Sequence, residues 1–215
     1  MSELLNKIGR CFAICVVLVT LISCSSVQDK PSNVALLDAN FTVELTQYQQ
    51  SSYKQIEAKF STEQSLQLVF RVISDLELTT QWFDYLKEIE TLKMYSNNQF
   101  LLRSVINSPW PLTAREIITC VDTDFEAQTI SIRVNSCSEK HPINDAFVRV
   151  IDVKSTWTLQ QQASGRVLIS YEAWLDPSGN IPALFYNQQL IDSTTDSFQK
   201  LIKLIEASSL NQYDY

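Results

Sequence analysis

Glycine is nearly missing from this chain, with three residues in 215. Phosphate-cradling loops and dinucleotide fingerprints each need several glycines at close spacing, so the composition argues against nucleotide-dependent chemistry. Histidine is scarcer still. His141 stands alone, ahead of Pro142 in a segment that reads as a loop, so neither a Ser–His–Asp relay nor a multi-histidine metal site has the usual parts. No metal or cofactor is expected. Basic residues are also thin: 17 Lys and Arg face 24 Asp and Glu, the net charge is −7, and no basic cluster occurs. A phosphate backbone is bound by clustered Lys and Arg, so no nucleic-acid partner is expected. One acidic stretch, "DTDFEAQTISIR" from Asp122, opens like a calcium loop but has Ala127 where a glycine is needed and Arg133 where a bidentate glutamate is needed. It reads as a turn.

What the chain does have is 45% hydrophobic and 19% charged residues, ordinary for one globular domain with a sizeable core. It begins with Lys7 and Arg10 ahead of an apolar run from Cys11 to Ile22, which is the length of a secretory h-region and short of the ~20 residues of a spanning helix. The run ends in Leu21-Ile22-Ser23-Cys24, which resembles the bacterial lipobox. Residues 1–23 are therefore expected to be a lipoprotein signal peptide, Cys24 the acylated first residue, and residues 24–40 a tether. Ser25, rather than an aspartate, follows the cysteine, as in outer-membrane lipoproteins, so a periplasm-facing domain on that membrane is expected. Loss of two basic residues and one acidic residue with the signal takes the charge from −7 to −8. Attachment would thus rest on acyl chains rather than on a basic surface.

Cys11 and Cys15 leave with the signal, and Cys120 and Cys137 remain in an oxidising compartment. If "REIITC" and "TISIRVNSC" pair as a hairpin about residues 124–128, Cys120 faces a residue near 132. That offset puts Cys137 beyond disulfide reach unless the strand end curls back. The bond is left open, with the separated thiols favoured.

Alternating segments at "FTVELTQYQQ" and "YKQIEAKFST" predict strands. A helix follows in "STEQSLQLVFRVISDLE", with Ser61 and Gln64 in a capping-box pattern. "LTTQWFDYLKEIETLKMYS" reads as a short helix bending into a strand. A meander follows: "NQFLLRSVINS", "AREIITCVD", "QTISIRVNS", "AFVRVIDVKSTWTLQQ" and "GRVLISYEAWLD". After "PSGN" a long amphipathic helix, "IPALFYNQQLIDSTTDSFQKLIKLIEASS", ends the domain. The expected fold class is α+β, a helix-grip in which a curved antiparallel sheet wraps a long C-terminal helix. Between Pro109 and Pro111, Trp110 is pinned in a rigid loop, and a structural role is expected for it.

Four motifs in this order, "DLELTTQWF", "PWPLTAREI", "VRVIDVKSTWTLQ" and "DPSGNIPALFYNQQ", resemble those of the START (StAR-related lipid-transfer) family. The resemblance covers roughly residues 40–205, and the domain is set at residues 41–208. It implies a non-enzymatic module that encloses one lipid or other apolar small molecule, with transfer as an extension of binding. Two departures stand out: the family's Arg-Asp pair is Arg115-Glu116 here, and the long N-terminal helix of many members is shortened or absent. The rival reading is a cyclase- or hydrolase-like enzyme of the wider helix-grip superfamily, and a weaker one is an envelope adaptor with a filled core. A monomer is expected.

Candidate ligand contacts follow from alternation. If 147–159 is one strand, Phe147, Arg149, Ile151, Val153, Ser155, Trp157 and Leu159 share a face. Arg149 there either meets a polar head or, as its burial favours, closes a salt bridge near the strand end. Arg103 is a second candidate. On the last helix the stripe Leu184, Gln188, Ile191, Thr195, Phe198, Ile202 and Ile205 is expected to face the cavity. Gln188 and Thr195 interrupt it, either for polar atoms of a ligand or for bonds to the sheet.

Overall fold

The computed structural model describes residues 41–108 and 112–212, all in the second of the two units, 1–32 and 33–215, into which the chain's contacts divide. The signal, Cys24, the tether and Trp110 lie outside the described residues.

Nine strands form one curved sheet. They are β1 (Phe41–Thr46), β2 (Gln55–Thr62), β3 (Leu86–Ser96), β4 (Gln99–Ile106), β5 (Arg115–Phe125), β6 (Thr129–Ser136), β7 (Val148–Val150), β8 (Val153–Gln161) and β9 (Val167–Leu175). Their spatial order is β1-β2-β9-β8-β6-β5-β4-β3. All pairs on this path are antiparallel, and β7 alone lies parallel, beside β5. Three helices, α1 (Leu66–Ser74), α2 (Leu76–Trp82) and α3 (Ala183–Ala207), complete the described residues' α-helical content. This is the expected helix-grip.

The helix starts are set locally. Ser65, not Ser61, caps α1: its Oγ accepts from the Leu68 N–H at 3.2 Å. Pairing of β2 with β9 runs through Thr62, which keeps Ser61 extended and moves the cap four residues on. Asp75 ends α1 and caps α2, its Oδ1 accepting from the N–H groups of Glu77 and Leu78 at 2.9 and 3.1 Å. The tight α2–β3 turn passes through Tyr85 at φ 63°. There the Asp84 N–H donates to Ser197 Oγ at 2.8 Å and the Asp84 carboxylate pairs with Lys200, which fixes the turn to α3.

The filled core lies to one side. Ile191, Phe198, Leu201 and Ile205 of α3 pack with α1 and with the inner faces of β1, β2, β8 and β9. Each such side chain contributes about 1.5–3 kcal/mol of burial. The N-terminal half of α3 instead stands over β4–β6 without filling the space beneath it. At the sheet's edges, β1 has six residues and β3 eleven. Pairing of β3 with β4 is broken by three register shifts, and β3 carries Lys87, Glu88, Glu90 and Lys93 on a largely exposed surface.

The predicted strand over 147–159 is interrupted. Ile151 and Asp152 belong to neither β7 nor β8, and the interruption changes which face each residue presents. Val150 and then Val153, Ser155 and Trp157 line the concave side, while Arg149 turns to the convex side and Ile151 is 66% exposed. A strict period of two across the whole segment put Arg149 on the wrong face.

Candidate functional site

Between α3 and the concave face of the sheet lies a cavity of about 610 Å³. That volume is within the roughly 300–1,000 Å³ typical of small-molecule sites. Alternation supplies its walls: β4 contributes Phe100, Leu102, Ser104 and Ile106, and β5 contributes Arg115, Ile117, Thr119, Val121, Thr123 and Phe125. At its base Trp157 stacks on Phe198 with centroids 5.4 Å apart and lies 4.4 Å from Tyr171. Trp82 meets the edge of this group at 6.1 Å, and its buried indole N–H has no acceptor among the described residues. Burial in this apolar wall pushes the Tyr171 phenol up to about 12, against a small opposing hydrogen bond with Ser155. Tyr186 is pushed up by burial in the same way.

The mouth is framed by the α2–β3 turn, the end of β4 and the start of α3. Phe83, Tyr85 and Phe185 are exposed and still line the cavity, and Leu184 beside them is 86% exposed. The β1–β2 turn holds the start of α3. Asn187 Oδ1 accepts from the Lys54 N–H at 2.9 Å, Asn187 Nδ2 donates to Ser52 O at 3.1 Å, and the Tyr53 hydroxyl donates to Ile181 O at 3.0 Å.

Of the residues expected to contact a ligand, the structure brings Trp157 and Phe198 to the cavity wall. Ile191 is buried in the adjoining core. Leu184, Gln188 and Thr195 do not line the cavity. Gln188 is exposed and donates to the Asp192 carboxylate at 3.0 Å, an intrahelical contact that explains its place in the stripe. The helix presents Tyr186, Gln189, Leu190, Ser193, Thr194 and Ser197 inward instead. The stripe predicted from apolar residues drifted because the cavity-facing side of α3 is itself half polar. Hydrophobicity marks the half of the helix that packs and misses the half that faces open space.

Arg115 is 7% exposed on the cavity wall near the mouth. Its Nε donates to Pro177 O at 3.2 Å, Nη1 to Ser108 Oγ at 3.0 Å and to Thr113 O, and Nη2 to Ser178 O at 3.5 Å. Burial lowers its pKa. Glu116, one residue on, points to the convex side and is 0% exposed. There it accepts from Arg103 Nε at 2.6 Å and from Arg149 Nη2 at 2.6 Å. Arg149 also donates to the carbonyls of Ser138, His141 and Pro142. Both arginines are thus committed to a salt bridge outside the cavity, the alternative that burial favoured for Arg149. Burial alone would raise the Glu116 carboxyl's pKa, but the two arginines hold it below the usual carboxylate range.

Cys120 and Cys137 are joined, with Cα atoms 5.6 Å apart. The separated thiols favoured from sequence are corrected on two counts. The hairpin register sets Cys120 opposite Asn135 rather than a residue near 132, and the pairing runs one step past β6, where the Cys137 N–H donates to Ile118 O at 2.9 Å, so Cys137 stands only two residues from Cys120's partner and within reach.

No family model matches this sequence. An uncharacterized Pseudomonas aeruginosa protein, PA1579, is 24% identical over 160 residues, 74% of this chain and 79% of that one. Among solved structures, a STAR-related lipid transfer protein fragment from Xanthomonas axonopodis superposes with a TM-score of 0.71 at 20% identity, covering 81% of this chain and 98% of its own. Human STARD10 gives 0.70 at 19% identity over 80% of this chain and 72% of its own, and human StAR-related lipid transfer protein 5 gives 0.71 at 13% over 96% and 98%.

The fold is that of a START domain.

The motifs that carry the resemblance now have places in this START fold. Asp75 caps α2 and Trp82 ends it at the cavity base, Arg115 starts β5 at the mouth, and the 177–181 segment leads into α3 under Arg115's hold. Where the family has an aspartate after the arginine, this chain has Glu116 bridging two arginines. Among the described residues no group of three or more His, Cys, Asp and Glu is placed to hold a metal.

Proposed function

We propose that this protein is a non-enzymatic binding protein for a lipid or other apolar small molecule. Acyl chains on Cys24 tether it to the outer membrane, and its START-like domain faces the periplasm. The cavity carries this reading: about 610 Å³ of space walled by Ile117, Val121, Leu102, Trp157 and Phe198 beside a packed core cluster. Apolar walls that face open space lose packing contacts, and an apolar guest restores them. Exposed Phe83, Tyr85, Leu184 and Phe185 around the mouth give an apolar guest a path that avoids water. The STAR-related lipid transfer protein of Xanthomonas axonopodis, with the same fold at 20% identity, makes transfer a natural extension. A monomer suffices, since the cavity is built from one chain.

Native mass spectrometry with lipid extraction of the purified protein tests the binding. Ser155 and Ala173 pair across β8 and β9 and both line the cavity, so Ala173→Phe narrows it. Wild type should carry extractable ligand, and the variant should fold and carry less of it. A folded wild type without ligand, together with no uptake of added lipid, refutes the proposal. For the tether, a fatty-acid probe should label wild type and spare Cys24→Ala; equal labelling removes it.

A further inference from the structure

We propose that Arg115 anchors the carboxylate of a single-chain amphiphile, such as a fatty acid, whose hydrocarbon lies along the concave face of β5. The inference rests on the cavity being a ligand site and adds the chemical class of the ligand.

Arg115 is a buried cation without an anion. Among the described residues its four acceptors are three backbone carbonyls and one hydroxyl, and no carboxylate lies within ion-pair distance. Neighbouring Glu116, Arg103 and Arg149 show the contrast: on the convex side each buried charge has an opposite charge at 2.6 Å. Buried charges in proteins are paired, because carbonyl dipoles offset desolvation only in part. The remaining charged groups on the cavity wall do not compensate. Asp84 is taken by Lys200, and Arg71 is a second cation, exposed on α1.

The donors left over match one carboxylate. A guanidinium has five N–H groups, and bonds to the described residues use four, which leaves one on Nη2. Ser108 Oγ accepts from Nη1 and so keeps its own proton to donate; it also lines the cavity. A carboxylate of unit charge is served by two such donors, whereas a phosphate monoester carries roughly −1.5 to −2 and three strong acceptor oxygens. The space beyond suits a chain. From Arg115 to Phe125 the wall alternates Ile117, Thr119, Val121 and Thr123 over ten residue steps, about 30 Å of strand. No charged side chain of β5 interrupts it on that face.

Binding of oleate, methyl oleate and oleoyl lysophosphatidate to the delipidated full chain, each below its micelle concentration, tests the assignment by tryptophan fluorescence. Wild type should bind oleate about ten- to a hundredfold more tightly than methyl oleate, the worth of one charge-assisted hydrogen bond. Arg115→Met should bind both alike, with methyl oleate affinity near wild type. Ser108→Ala, which leaves the guanidinium in place, should reduce the oleate preference in part. Equal wild-type affinities for oleate and methyl oleate overturn the proposal even if Arg115→Met fails to fold, as does an oleate preference that survives in a folded Arg115→Met. A preference for the lysophosphatidate over oleate overturns the carboxylate. If no probe binds at all, it is the lipid-binding function that falls.

Discussion

Replacing Glu116 by glutamine keeps the shape of the side chain and removes its charge. In wild type the carboxylate has no exposure, and the side chains of its partners Arg103 and Arg149 are 12% and 7% exposed. The variant strands the two guanidiniums unequally. Arg103 retains Glu90 at 2.9 Å and Glu88 at 3.3 Å, both partly solvated, while Arg149 is left with backbone carbonyls alone. Removing one member of a buried pair costs about 3–5 kcal/mol. Against a total stability of about 5–15 kcal/mol that is a large fraction. With a urea slope of about 2 kcal/mol/M it moves the unfolding midpoint down by about 1.5–2.5 M. The pH dependence has a definite sign. Glu116's pKa is lowered in the folded state, so its contribution is present above the unfolded carboxyl's pKa and is lost as pH falls through the folded-state value. The gap between wild type and Glu116→Gln should therefore be full at neutral pH and close under acid. Equilibrium urea unfolding from pH 7 down to pH 3 measures both quantities. A cost below about 1 kcal/mol at pH 7, or a gap that does not change with pH, would refute the account of the cluster.

Two further outcomes follow from the same geometry. Cys137→Ser should lower stability by about 3 kcal/mol, the entropic worth of a closed loop of this length, seen as a lower urea midpoint that reducing agent does not change further. Tyr171's pKa is pushed up to about 12 by burial, so its contribution is complete below the ordinary tyrosine value and is lost as pH rises towards 12. Stability falling between about pH 10 and 12, and falling less in Tyr171→Phe, is the expected result; identical alkaline profiles would count against it.

Legibility from sequence followed the physics of each element. The sheet and the long helix were readable because alternation and the 3.6-residue period report burial directly, and both survive at Phe41–Thr46, Val167–Leu175 and Ala183–Ala207. The cavity was not, because a wall facing an enclosed space obeys neither the core's rule nor the surface's. Thr119, Thr123, Ser193 and Thr194 alternate with apolar neighbours where a filled core would have leucine. Arg149 was misplaced by a two-residue break that no periodic template contains, and Cys137 by a hairpin register three residues away from the expected one. Arg115 carried a visible motif, but its isolation from the carboxylates of the described residues is a fact of three dimensions.

The long β3 edge has a meaning for crowded protein. An open sheet offers its unpaired backbone to any neighbouring copy, and an eleven-residue edge is enough to template a strand from another molecule. Here the three register shifts tilt successive N–H and C=O groups out of line, and Lys87, Glu88, Glu90 and Lys93 oblige an incoming strand to desolvate charge of both signs. The irregularity that looks like poor pairing inside one molecule thus has a meaning between molecules: it raises the cost of joining adjacent copies sheet to sheet along this edge.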